Sequence, residues 1–215
     1  MNVFITGSTG YLGRALCELL AARGHTVSGL CRPKSIRKLP PGIKATPGDA
    51  LTAGSFASAL ARDMTLVHLV GVSHPAPWKE AEFRAVDLAS VRASLEAARR
   101  AGVSRMVYVS VAQPAPVMRA YLRVRAECEE LIRASGLAAT ILRPWYVLGP
   151  GHRWPVALIP AYRVLELLPS TRESATRLGL VTHHQMVSAL VWAVEHPANS
   201  VRILDVPGIR SASQC

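Results

Sequence analysis

Short apolar runs alternate with amphipathic stretches along most of this chain. Residues 3–5, 25–31, 43–46, 65–71, 104–110 and 139–142 are runs of strand length, rich in Val, Ile and Leu. Between them, apolar residues recur every three or four positions: Leu12, Leu16, Leu19 and Leu20 after the first run, then Phe83, Val86, Val91, Leu95 and Ala98 within 79–101. That spacing lines one face of a helix. Strand and helix therefore alternate, which predicts an α/β fold with a doubly wound parallel sheet of Rossmann type. The run 65–71 is apolar without alternation, as expected for a central strand covered on both faces. Further helices are expected over 52–62, capped by Thr52, over 156–168, and over 181–196, capped by Thr182. A last strand is expected over 201–206.

The first strand runs directly into Thr6-Gly7-Ser8-Thr9-Gly10-Tyr11-Leu12-Gly13. Each glycine has a physical task there. Gly7 lets the chain turn sharply off the strand. Gly10 lets the backbone approach a pyrophosphate, and Gly13 lets the new helix pack closely on the sheet. The N–H groups at the helix start, from Ser8 and Thr9 through Tyr11 and Leu12, then face the phosphates with help from the helix dipole. Strand before and helix after are the context this motif requires. The reading is a dinucleotide site. Residues 1–151 then form a dinucleotide-binding core, and 152–215 complete the same domain and cover the substrate side.

Charge refines the cofactor. The chain of 215 residues carries a net +11, dispersed as 14 basic and 7 acidic groups in 1–110 and 11 and 7 in 111–215. No basic stripe with interleaved aromatics appears, so no nucleic-acid partner is expected. After the second strand, however, come Arg32, Lys34, Arg37 and Lys38, with no acidic residue between His25 and Lys38. An acidic residue in this place takes the ribose hydroxyls of NAD, whereas Arg accommodates a 2′-phosphate. Arg32 thus favours NADP (NADPH) over NAD.

Other classes of chemistry find little support. Cys17, Cys31, Cys128 and Cys215 make no C-x-x-C pair, so a reducing, cytoplasmic setting is expected. The first strand begins at residue 2, leaving no room for a signal peptide, and no apolar run is long enough to span a bilayer. His183-His184 are adjacent and point to different helix faces, so no metal site is expected. His68, inside an apolar run, reads as a hydrogen-bonded core histidine.

The spacing of Gly7, Gly10 and Gly13 resembles the loop of extended and atypical short-chain dehydrogenase/reductase proteins. That likeness covers nearly the whole chain, strongest at 3–13, 65–71, 83–110 and 119–151. It is nearest to the groups described as NAD(P)-binding, NmrA-like or NAD-dependent epimerase/dehydratase-like. The resemblance implies that Asp49, with Ala50, lies near the adenine, although a turn Asp after Gly is common in any case. It implies that Leu69, Val70 and Gly71 line the riboses, with Val109 on the neighbouring strand. It also places Pro144, Trp145 and Tyr146, after Arg143, beside the nicotinamide.

The family's catalytic set is a Tyr, a Lys four residues later on the same helix face, and a Ser or Thr after the fifth strand. Tyr121 to Glu129 (Tyr-Leu-Arg-Val-Arg-Ala-Glu-Cys-Glu) resembles that helix with Arg125 at the lysine position. None of the four lysines, 34, 38, 44 and 79, lies four residues after a tyrosine. Arg125 keeps the charge, yet a guanidinium stays protonated and cannot relay a proton as an amine does. Ser110 ends the fifth strand as the hydroxyl residue, or simply bonds local backbone. Two readings stand: an NADPH-dependent reductase or isomerase of a small apolar carbonyl substrate, and a non-catalytic NADP-binding redox sensor or assembly subunit that holds a protein partner at the substrate face.

Overall fold

The computed structural model describes residues 1–115, 117–149 and 178–214. Seven parallel strands form the main sheet: β1 (Asn2–Thr6), β2 (Thr26–Cys31), β3 (Lys44–Pro47), β4 (Thr65–His68), β5 (Arg105–Val109), β6 (Ala138–Leu142) and β9 (Val201–Leu204). Their order is β3-β2-β1-β4-β5-β6-β9. Two short strands, β7 (Tyr146–Leu148) and β8 (Leu180–Thr182), pair apart from it. The order reverses at β1, flanked by β2 and β4 with Thr6 opposite both Leu30 and His68. A sheet of this kind opens its crevice at the carboxyl ends of strands where the order reverses. Here that crevice lies above Thr6 and His68.

Helices cover both faces. On one, α1 (Tyr11–Ala22), α4 (His183–Glu195) and α5 (Val206–Ala212) bury Leu16, Leu20, Leu190, Val194 and Ile209 against Ile5, Val67 and Val107. On the other, α2 (Ala89–Ala101) and α3 (Arg119–Ala134) bury Val91, Val124 and Ile132 against Met106, Tyr108 and Ile141. The apolar spacing read from the sequence thus has a sheet face to meet on each side. Gly102, at φ 68°, ends α2 in the left-handed region as a glycine can. Thr182 caps α4 in a reciprocal pair with Gln185.

Four differences from the sequence reading follow local chemistry. The helix expected over 52–62 is instead two 3₁₀ turns, Ala53–Ser55 and Ala57–Ala59, and Thr52 makes no side-chain cap. Ser55 Oγ there donates to the carbonyls of Asp49 and Thr52, a local alternative to helical pairing. Within the long helix, Phe83–Leu88 is a π turn. The apolar region after β6 supplies β7, and Asp205 and Pro207 start α5 just beyond β9. The helix expected over 156–168 lies outside the described residues. Among those residues, no helix is long and apolar enough to cross a membrane.

Candidate functional site

The turn after β1 is built around contacts that only hydrogen at Cα permits. Gly7 sits at φ 77°, and a Cβ on it would lie 2.9 Å from the Leu69 carbonyl carbon. A Cβ on Gly13 would lie 2.2 Å from the Gly7 carbonyl oxygen. Gly10 differs: among the described residues its Cβ would meet only the Gly7 oxygen, at 3.1 Å. Packing inside the protein therefore explains Gly7 and Gly13, while Gly10 has that one close contact and is otherwise open among the described residues. Gly10 also caps α1 without a side-chain acceptor, in contrast to Thr182 on α4. A helix start of this kind suits an anion, and the cradle fits a pyrophosphate.

The residues around the cradle have distinct surroundings. Ser8 is buried, and its hydroxyl donates to the Leu30 carbonyl at 2.8 Å, which ties the turn to β2. Thr9 and Leu12 are half-buried, and the Tyr11 ring packs edge-on against His183 at 4.5 Å. Arg32 follows β2 directly, exposed, with no ion pair among the described residues. The Asp49 carboxylate accepts from the Leu51 N–H at 3.0 Å, an interaction within its own turn, beside half-buried Ala50. Leu69, Val70 and Gly71 leave β4 half-buried at the crevice, the first two with their backbone against Gly7. Pro144 is buried beyond β6, with Trp145 and Tyr146 half-buried beside it.

Tyr121, Arg125 and Glu129 repeat every four residues along α3, so all three share one face. Tyr121 is half-buried, with its ring 4.9 Å from that of Phe83. The Arg125 guanidinium stands 5.1 Å from the Tyr121 ring centroid. The structure thus brings these two together. Arg125 is itself buried, donating to the Tyr108 hydroxyl at 3.0 Å and the Val109 carbonyl at 2.9 Å. Its Nη2 lies 2.6 Å from Asp87 Oδ1 in an ion pair whose side chains are 7% and 0% exposed. Burial pushes the Asp87 carboxyl above its usual range, opposed by Arg125 and the Val72 N–H. For Arg125, burial works against charge, but the Tyr108 and Tyr121 oxygens and the Asp87 carboxylate outweigh it, so the guanidinium stays protonated.

Ser110 is engaged elsewhere. Its hydroxyl donates to Glu129 Oε1 at 2.6 Å, alongside Gln113 at 2.7 Å. Arg143 grips the same carboxylate through two nitrogens, one at 2.9 Å, and Arg133 reaches it at 3.2 Å. Beneath the crevice, His68 contacts Thr6 and Ser94 at 2.9 Å each, and Ser90 at 3.3 Å. Its imidazole is held down to about 3 by burial, then by the nearby Arg125 charge, so it is a neutral core group.

Asp87 and Glu129 are the residues that the sequence reading passed over. Both had a signal. Asp87 falls in line with Phe83 and Val91 on a buried face, and Glu129 lies one further turn along the Tyr121–Arg125 face. Among the described residues no cluster of three His, Cys, Asp or Glu side chains could hold a metal ion.

A family model described as NAD(P)H-binding matches residues 7–153. The chain is 31% identical to the 3-diazoavenalumate denitrifying reductase of a Streptomyces species, over 92% of this chain and 73% of that protein. It is 27% identical to the ceramide reductase of Caulobacter vibrioides, over 88% of this chain and 59% of that protein. A short-chain dehydrogenase/reductase superfamily protein from Agrobacterium tumefaciens, solved with bound NAD, shares the fold at a TM-score of 0.68 and 20% identity. That match covers 95% of this chain and 77% of the other. The chain belongs to the NAD(P)H-binding family and shares its fold with that short-chain dehydrogenase/reductase superfamily protein.

Proposed function

We propose that this protein binds NADP(H) in preference to NAD(H) and reduces or isomerises a small, apolar carbonyl substrate. The observation that carries the reading is Tyr121, half-buried on α3 beside the protonated Arg125 guanidinium. The cofactor, when bound, supplies hydride. Gly10 and the start of α1 hold its pyrophosphate, Arg32 its 2′-phosphate, and residues 69–71, with Pro144, Trp145 and Tyr146, flank its nicotinamide half. Tyr121 exchanges a proton with the substrate oxygen. Arg125 supports that exchange electrostatically but stays protonated throughout. The related reductases support this reading through their names, which describe those proteins' own reactions. Free, buried Cys17, Cys31 and Cys128 support a reducing, cytoplasmic location.

A second reading has its own observation. Ser110 donates its hydrogen bond to Glu129, and Arg125 turns toward Asp87, so two of the three family positions already have partners within the protein. That arrangement suits a protein that holds NADP without turning it over, as a redox sensor or an assembly subunit. The test is NADPH oxidation across a broad carbonyl panel, beside titration of NADPH and NADH. Turnover that disappears in Tyr121→Phe at unchanged dinucleotide affinity supports the reductase. Tight binding without turnover supports the second reading, and absence of binding sinks both.

A further inference from the structure

Gly71 is the link between two parts of the site that are far apart in sequence. A Cβ on Gly71 would lie 2.4 Å from Arg125 Nη2 and 3.1 Å from Asp87 Oδ1. The chain leaving β4 therefore lies directly against the buried ion pair. One residue on, the Val72 N–H donates to the other Asp87 oxygen at 3.1 Å. Two residues before, Leu69 and Val70 are the backbone against which Gly7 packs, with contacts of 2.9 to 3.1 Å from a Gly7 Cβ. Contact is thus continuous from the phosphate turn, through residues 69–72, to Asp87, Arg125 and Tyr121. Asp87 itself stands in the π turn Phe83–Leu88, an irregularity found most often where a helix must aim a functional side chain.

We propose that Asp87 is a positioning residue for the dinucleotide site. By holding Arg125 against Gly71 and accepting from Val72, it fixes residues 69–72 against Gly7 and shapes the surface that receives the nicotinamide half. Arg125 then acts inward on the protein, as the counterpart of Asp87, and not as a cation reaching out to a ribose. Its Nη1 contacts to Tyr108 and Val109 anchor the same guanidinium to β5, so the clamp joins two strand ends across α3. The inference rests on the dinucleotide site proposed above and is independent of turnover.

The experiment uses the whole chain as wild type, Asp87→Asn, Gly71→Ala, Arg125→Lys and the Asp87→Asn/Arg125→Lys double variant. Gly71→Ala removes no charge and displaces the guanidinium sterically, so it carries the test if Asp87→Asn does not fold. Amide hydrogen exchange on the ligand-free protein should quicken in residues 69–72 and 7–13 of Asp87→Asn and Gly71→Ala, while Val201–Leu204 at the sheet edge stays unchanged. NADPH and NADH affinity should fall about tenfold, and that of adenosine diphosphate, which lacks the nicotinamide half, should hold. Losses from Asp87→Asn and Arg125→Lys should not add in the double variant, because both open one contact. Unchanged exchange, equal weakening of adenosine diphosphate, or additive losses would each overturn the proposal. If the wild type binds no dinucleotide, the proposed function fails, and the exchange comparison alone still decides whether Asp87 holds residues 69–72.

Discussion

Gly10 and Gly13 belong to one motif, but the structure separates what each is for, and alanine at the two positions should report the difference. At Gly13 the new methyl would stand 2.2 Å from the Gly7 oxygen and 2.8 Å from the Ser8 Cα, both backbone atoms. Neither can rotate away, so turn and helix must separate by roughly 1 Å to restore ordinary contact. Overpacking of this kind costs about 1–3 kcal/mol, and a rigid backbone neighbour argues for the upper end. In a domain of this size about 3 kcal/mol lowers the melting temperature by about 6–12 °C. At Gly10 the single contact is 3.1 Å and φ is −81°, which any residue adopts. Alanine is a poorer helix cap than glycine, but it also restricts the unfolded chain. The two effects are of opposite sign, leaving a net change within about 1 kcal/mol. The methyl does, however, fill the face open to the pyrophosphate. Gly10→Ala should therefore melt near wild type and lose dinucleotide affinity by about tenfold or more. Gly13→Ala should lose both. Gly24→Ala is the control for backbone strain alone, with φ 82° and no neighbour within 4 Å among the described residues. Thermal melts and calorimetric titration of NADPH and NADH measure both quantities. If Gly10→Ala melts as low as Gly13→Ala while binding as wild type does, Gly10 is only a packing residue and the cradle argument fails.

Two further outcomes test neighbouring parts of the argument. Arg32→Ala removes an exposed side chain beyond β2, so NADP affinity should fall at least about tenfold with NAD nearly unaffected; equal losses would sink the 2′-phosphate assignment. His68, held near 3 against an ordinary 6.5, binds its proton in the unfolded chain before it can in the folded one. Between those limits the unfolded state carries the extra proton, so stability falls as pH drops, by up to about 1.4 kcal/mol per pH unit from this group. Denaturant titrations at pH 7 and pH 5 should show a smaller difference for His68→Gln than for wild type. An equal difference would mean that His68 is not buried as a neutral group.

Much of the fold was legible because its signals are local. The β1 run, the glycine turn and the Leu12–Leu16–Leu20 face each lie within a few residues, and the 65–71 run announces its two covered faces by lacking polar alternation. Thr182 was legible as the cap from its place before the apolar run, and Gln185 completes that cap in the structure. The expected helix over 52–62 failed for a local reason too: Ser55 offered its hydroxyl to two nearby carbonyls, and apolar spacing does not record that competition. The π turn at Phe83–Leu88 is harder. One extra residue in the hydrogen-bond register leaves Phe83 and Leu88 buried, so periodicity reads straight through it.

The site was legible by residue type and not by partner, and at this site the partner decides the chemistry. Ser110 stands where a substrate-orienting hydroxyl belongs, yet its hydrogen bond goes to Glu129, nineteen residues away. Arg125 stands where a lysine would face a ribose, yet it lies in a pair with Asp87 from another helix. Spacing marks each partner's face, but not which group it meets, because the pairings are made by strand order and helix packing. Arginine is the residue suited to such a setting: its planar fork serves Asp87, Tyr108 and Val109 at once, whereas an ammonium has less reach and fits the geometry less well. The arginine at this position is therefore explained by what surrounds it inside the protein before any substrate is considered. Arg125→Lys alone would leave Asp87 buried opposite a shorter cation and lose the two contacts to β5. Restoring a lysine to the motif without changing Asp87 should therefore weaken the site, even though it completes the family's pattern.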